Sequence, residues 1–507
     1  MAIQPGVVTP PSPRVNHVAF RSPSLLQLPV ELLDLIASFV PTHRDLVSLA
    51  LTCHAITYIV IPAHAAYRTI RIHSQRGPAP WATIAARPDR AAGVRCLVLF
   101  DQSEEGRFLP ERAPSTALAS ATSSMKRRRG AWKAHGGGWN AESLEAAASA
   151  VRVMPNLHTL VFSGSFRRCG AAEMNFWAAV AGTNGSLRCL EYAQPLRAPT
   201  MRSTTDVRLY PLWAVSNLTS LSVKHAAFLQ HPPSVVQFSR VLRNSPSLES
   251  LTLAVHDPSF DLHVLLDDVC LPHLRALALD ILAPEAPSNA RSLAMLLERT
   301  PRLQHATWKH LDPGPLSPGA LPALRTLHVE DVPSSPGATG RALLRGGAAL
   351  ESLGSIRVDA DALEALAHMR GEALCRLEVT SFESIAVLVR AVRLFPRLRW
   401  LRMPAVDYWH EHLPVTPAPV HLGEWVEVLA ALPELEVFRG VSIFRDPEST
   451  TIEENDERAC DILGLCSRMR QVEHWDLDPA RAITLAWEGD RVVWRVEEVS
   501  RTDGGFA

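Results

Sequence analysis

The sequence predicts an α/β protein: a short three-helix unit followed by an irregular solenoid of leucine-based repeats, with a curved parallel sheet inside and helices outside. Three observations carry this expectation. A Leu-x-x-Leu-x-hydrophobic unit recurs along most of the chain, amphipathic helical stretches alternate with it, and apolar stripes at helical spacing stand ahead of it within residues 25–72. At 507 residues, 47% of them hydrophobic, the chain is too long for one compact core and too apolar to stay unfolded.

Residues 1–24 are rich in Pro and Ser, have little to bury, and are expected to form a disordered tail. The stripes begin after them. From Glu31 to Val40, Leu32, Leu35, Ile36 and Phe39 recur at helical spacing, with Leu33 and Val40 broadening the stripe. Pro29 suits the first turn of this helix, where the N–H it lacks would have no partner, and Glu31 adds a favourable charge at the same end. Pro41 ends the helix. Asp45 opens a second one whose Leu46, Val47, Leu49, Ala50 and Cys53 keep the period, and a third runs through Ile56, Ile59 and Val60 to Pro62. Three short helices cannot bury all of this apolar surface among themselves, so the surplus requires another surface. From Pro62 to Ile72 the chain is expected to link into a first strand.

The solenoid is placed at 73–499. Its unit stands at Leu157/Leu160, Leu187/Leu190, Leu218/Leu221, Leu248/Leu251, Leu274/Leu277 and Leu303, and again at Leu324/Leu327, Leu350/Leu353, Leu374/Leu377, Leu398/Leu401, Leu435/Phe438 and Val472/Trp475. Those twelve copies have a mean spacing near 28.6 residues, with Val94/Leu97 as an extra copy before them. Leucine-rich repeats have periods of about 20–29 residues. Individual intervals run from 21 (Leu303 to Leu324) to 37 (Leu398 to Leu435), so the array is irregular and longer copies bulge on their outer side. Helix candidates fall between the units at 143–153, 173–181, 236–243, 292–299, 385–394, 423–432 and 460–468. The Asn or Cys that hydrogen-bonds backbone between coils in such repeats is not regularly present. Residues 102–140 combine Ser, Ala, Gly and charge without periodicity and are predicted to be a disordered insertion within the first coils. Residues 483–496 predict a terminal hairpin that covers the last repeat, and 500–507 a tail.

Composition narrows the function. The net charge of −1 gives no global electrostatic case for nucleic acid or an anionic membrane, and no segment approaches the roughly 18 apolar residues of a membrane span. Eight cysteines, Cys53, Cys96, Cys169, Cys189, Cys270, Cys375, Cys460 and Cys466, are scattered rather than arranged as a disulfide framework or a metal site. His410-Glu411-His412 has no third ligand in view, so no metal site is expected. Lys126-Arg127-Arg128-Arg129 reads as a solvated charge run rather than an import signal or a nucleic-acid contact. Phosphate loops, nucleophile elbows and zinc-protease motifs are all missing, so the sequence predicts no catalytic centre and no cofactor.

The pattern Leu28, Pro29, Glu31, Leu32, Ile36, then Asp45, Leu46, Leu49, Thr52, Cys53 resembles an F-box, and the stretch after it resembles the segment that follows the F-box in many fungal members of that family. The resemblance implies a substrate receptor of a cullin-based ubiquitin ligase, working in the cytoplasm and/or nucleus. It implies an adaptor protein bound by Leu28, Pro29, Glu31, Leu32, Ile36, Leu46 and Leu49, with cullin reached through that adaptor. Other subunits would transfer ubiquitin to a substrate held by the repeats. The alternative is a non-catalytic scaffold whose F-box works outside a ligase.

The period of two along each strand places alternate side chains on the concave face. That face is expected to carry Ser222 and Lys224, Thr307 and Lys309, His328 and Glu330, Val437 and Arg439, His474 and Asp476. Because Trp and Arg are enriched in binding hot spots, the predicted substrate site comprises Arg376, Glu378, Trp400, Arg402 and Arg439. The competing reading has Trp400 and its aromatic neighbours covering the solenoid end.

Overall fold

The computed structural model describes residues 25–40, 43–61, 68–101, 139–164, 170–183, 185–194, 211–225, 229, 232–255, 260–266, 268–281, 287–309, 311, 316–317, 319–330, 349–369, 371–403, 422–446, 450–476, 481–489 and 491–499. Both predicted tails, the Lys126–Arg129 run and His410–His412 lie outside these residues. The chain divides into two compact units, Met1–Thr69 and Ile70–Ala507.

Among its described residues the first unit holds three α-helices: α1 (Val30–Phe39), α2 (His43–Ala50) and α3 (His54–Val60). Pro29 sits one residue before α1, at its N-cap, and not inside the first turn; its carbonyl accepts from Leu32 N at 3.0 Å and Leu33 N at 3.1 Å. The core is small, comprising Ala37, Leu46, Ala50, Ile56 and Val60, with Val40, Leu49 and Cys53 packed against it. Thr57 Oγ1 ties α3 to α2 by donating to the Ala50 carbonyl at 2.5 Å.

The second unit is built on one 16-stranded sheet whose spatial order is the sequence order, β1 to β16. Its first strands are β1 (Thr69–His73), β2 (Cys96–Phe100), β3 (Thr159–Ser163), β4 (Cys189–Ala193), β5 (Ser220–Lys224) and β6 (Ser250–Val255). They are followed by β7 (Ala276–Ile281), β8 (His305–Lys309), β9 (Thr326–Glu330), β10 (Ser352–Val358), β11 (Arg376–Phe382) and β12 (Trp400–Arg402). The last four are β13 (Val437–Arg439), β14 (Gln471–Glu473), β15 (Arg481–Glu488) and β16 (Arg491–Glu498). Pairing is parallel from β2 through β14 and antiparallel from β14 to β16.

One core position is repeated coil after coil. Leu97, Leu160, Leu190, Leu221, Leu251, Leu277, Ala306 and Leu327 lie in register, followed by Leu353, Leu377, Leu401, Phe438 and Val472. The last copy therefore differs from the sequence reading by three residues: Val472 occupies the second leucine position, and buried Met469 the first. Adjacent coils are tied by a backbone fork. Arg95 O accepts from His158 N and Thr159 N at 2.8 and 2.9 Å, His158 O from Arg188 N and Cys189 N, and the same fork recurs to Glu436 O with Arg470 N and Gln471 N. These forks tether the coils at positions where no regular Asn ladder is present. Two buried asparagines on the helical side add local ties, Asn289 accepting from Leu262 N at 2.8 Å and Asn455 donating to Arg445 O at 3.0 Å.

Helices of eight residues or more lie between strands at Ala141–Val151, Gly170–Gly182, Pro232–Arg243, Pro287–Glu298, Ala360–Ala367, Ile385–Val392, Leu422–Ala430 and Ile452–Leu465. Ala360–Ala367 was missing from the predicted set, although Asp359 caps it by accepting from Ala362 N at 2.8 Å. Of the predicted insertion 102–140, residues 102–138 lie outside the described residues, and the last two are ordered parts of the fold. Trp139 is fully buried, and Asn140 caps the next helix by accepting from Ser143 N at 2.8 Å, so both belong to the fold. The predicted hairpin spans Arg481–Glu498, two residues wider at each end than 483–496.

Candidate binding surfaces

The first candidate surface belongs to the three-helix unit. Leu32, Leu35, Ile36 and Phe39 recur on α1 at helical spacing, yet all four are exposed, Phe39 by 77%, as is Val30 at the helix start. A five-residue core cannot cover them. Pro29 and Glu31 are also exposed, while Leu28 is half-buried after the single 3-10 turn Leu25–Gln27. Leu46 is a correction: it is 0% exposed at the centre of the core and offers nothing to a partner. Leu49 packs half-buried against that core. The sequence reading did not include Val30, Leu35, Phe39, Leu51 and Tyr58 in the predicted surface, all of them exposed. Of these, Leu35 and Phe39 lie in the stripe that the helical period had already marked.

The second candidate surface lies on the sheet face opposite the leucine ladder, from β9 to β15. Parallel register places Arg376 beside Trp400, Glu378 beside Arg402, and Arg402 beside Arg439. The Arg376 guanidinium carbon stands 3.9 Å from the centroid of the Trp400 ring. Glu378 bridges two side chains, accepting from Arg402 Nη1 at 3.1 Å and lying 3.8 Å from His328 Nδ1. His328 Nε2 in turn lies 2.9 Å from Ser355 Oγ. Ser355 is the extra residue of a bulge in β10 and holds φ at +57°, a left-handed conformation that a serine adopts at a cost. Burial pulls the Arg376 guanidinium below its usual range, and Glu378 opposes that pull.

Two predicted substrate residues are corrected by this geometry. Trp400 lies on the expected face but is only 8% exposed, so it supports Arg376 and does not stand open to a partner. Arg439 is 6% exposed; its Nε lies 3.6 Å from Glu473 and its Nη1 donates to Arg481 O at 2.9 Å, which anchors the terminal hairpin to the last coils. Glu473 also accepts from Gly440 N at 2.8 Å, where the backbone turns with φ at +84° and a Cβ would meet Met403 O at 2.0 Å. Glycine is required there. The accessible part of the predicted site is thus Arg402, with half-buried Arg376 and Glu378.

Among the described residues no helix is long and apolar enough to cross a membrane. No family model matches the chain, and comparison with curated proteins gives no match. Among solved structures, the chain is similar to the crystal structure of a TLR13–ssRNA13 complex, with 13% identity and a TM-score of 0.29, over 57% of this chain and 44% of that one. The chain thus spans less than half the length of that solved protein.

Proposed function

We propose that this chain is the substrate-recognition subunit of a cullin-based ubiquitin ligase, its three-helix unit docking the adaptor as an F-box and its repeats holding a substrate protein. The observation that supports this most is the row of exposed apolar side chains on α1, Val30, Leu32, Leu35, Ile36 and Phe39, directly after the Leu28-Pro29-x-Glu31 start. Such a row on so small a core is apolar surface in search of a partner. On the sheet, the accessible Arg402 with half-buried Arg376 and Glu378 are the residues proposed to meet the substrate. On this reading the chain has no catalytic centre or cofactor of its own, and it acts in the cytoplasm and/or nucleus.

The test is co-purification of the full chain with adaptor and cullin. Truncating a buried interface anchor costs about 2 kcal/mol or more, and about 1.4 kcal/mol is tenfold in affinity. Leu32→Ala with Ile36→Ala should therefore reduce adaptor recovery more than about tenfold while leaving the circular dichroism unchanged. Leu46→Ala removes core instead, and should lose about 2–5 kcal/mol of the unit's stability. Undiminished recovery in the double variant would overturn adaptor docking. Adaptor recovered without cullin would favour the scaffold that works outside a ligase.

A further inference from the structure

At the end of the sheet, β15 outruns its neighbour. The β14–β15 ladder stops at Gln471↔Thr484, and one further bond, Leu485 N to Arg470 O at 2.8 Å, closes it. Antiparallel strands present alternate residues to each edge, so Trp487, two residues beyond Leu485, turns its N–H and C=O toward the same side, with no strand opposite among the described residues. On its other edge Trp487 pairs with Val492 of β16. An unpaired strand segment of this kind is a template for an added strand.

That edge borders a cleft of about 760 Å³ between the end of the helix Ile452–Leu465 and the hairpin. Leu463, Met469 and Leu485, all buried, form its apolar lining, and Trp487, 53% exposed, forms one wall. The rim is charged. Arg468 and Arg470 stand against a single lining carboxylate, Glu436. Arg468 lies 3.6 Å from Glu434, whereas Arg470 is exposed with no carboxylate at ion-pair distance among the described residues.

We propose that this cleft binds an extended acidic segment of a partner protein, which adds as a strand to the edge at Trp487, beyond the bond that Leu485 makes to Arg470. Backbone hydrogen bonds to Trp487 supply a sequence-independent part of the affinity, and alternate side chains supply the rest. One face of the segment enters the apolar lining beside Trp487. The other places its carboxylates on Arg470 and Arg468. The site is separate from the surface proposed above for the substrate, which lies on the sheet face around Arg402.

Fluorescence anisotropy of the full chain with a fluorescein-labelled hexapeptide of alternating Asp and Val tests this. Controls are the same peptide with Lys in place of Asp, and the Asp/Val peptide N-methylated at alternate amides, which keeps its side chains but removes strand donors. The Asp/Val peptide should bind, and binding should weaken at least about tenfold with N-methylation, with Arg470→Glu and with Trp487→Ala. Both substitutions fall on exposed side chains, and an unchanged melting temperature verifies the fold. Arg402→Ala should leave binding unchanged. Equal binding of Lys/Val and Asp/Val peptides, or of N-methylated and parent peptides, overturns the proposal, as does absence of binding at millimolar peptide.

Discussion

Glu173 lies on the helix Gly170–Gly182 beside Phe176 and Trp177, and it acts electrostatically on buried Tyr192. Burial pushes its carboxyl pKa up from 4.5 to about 8. Between those values the unfolded chain releases this proton while the folded chain keeps it. Stability therefore falls as pH rises across that window, by at most about 1.4 kcal/mol per unit. Glu173→Gln carries no charge at any pH. It should match the parent's melting temperature near pH 4.5 and exceed it at pH 8; a difference independent of pH would show that the carboxyl is not held protonated. Single residues also mark where the sequence stopped being legible. Its helical and strand periods placed Leu46, Trp400 and Arg439, but a period tells which face a side chain takes and not what covers it. Leu46 is covered by α3 residues Ile56 and Val60, Trp400 by Arg376 from the neighbouring coil, and Arg439 by a hairpin 42 residues further on.

At the scale of elements, most strands were legible because each repeats a leucine at a fixed core position, and a β-strand's period of two leaves little freedom in register. The last coil was misread because it has no leucine at either position, Met469 and Val472 taking their places. The helix Ala360–Ala367 was missed because its apolar residues are mostly alanines, which weaken the periodic signal. The terminal hairpin covers β14, which would otherwise be an open edge, and it buries Ala482, Ile483 and Leu485. It also brings Trp494 against Phe444, with Nε1 donating to Asp456 at 2.8 Å. A chain ending at Ala480 should therefore melt lower and scatter light increasingly with concentration, because an open parallel edge invites pairing between chains. A chain ending at Ser500 keeps the hairpin and should do neither. Equal behaviour of the two truncations would remove the capping role.

Across the whole molecule, the two strands with the longest sequence gap between them, β2 and β3, are nonetheless adjacent and in register from Cys96↔Thr159 to Phe100↔Ser163. The two residues that flank 102–138, Asp101 and Trp139, lie at one place. A Cβ built on Gly164 would stand 3.2 Å from Asp101 Cβ and 3.4 Å from Trp139 Nε1, so both flanks of the segment meet at this glycine. Buried Asp101, whose N–H donates to Ser163 O at 2.9 Å, fixes one flank; Trp139, 6.4 Å from Trp81 and 6.3 Å from Phe162 between ring centroids, fixes the other. A few Gly and Ser residues suffice to span such a gap. Each halving of a flexible loop changes its closure cost by only about 0.6 kcal/mol, in the stabilising direction. Replacing 102–138 with a short Gly/Ser linker should hold the melting temperature or raise it slightly. Extending the deletion through Asn140 should lower it steeply, because loss of a buried Trp costs about 3–5 kcal/mol and loss of a helix cap about 1 kcal/mol. The pair is decisive because it moves one boundary by two residues: a large drop already in the shorter deletion would show that 102–138 packs on the fold, and no drop in the longer one would show that Trp139 is not part of the core.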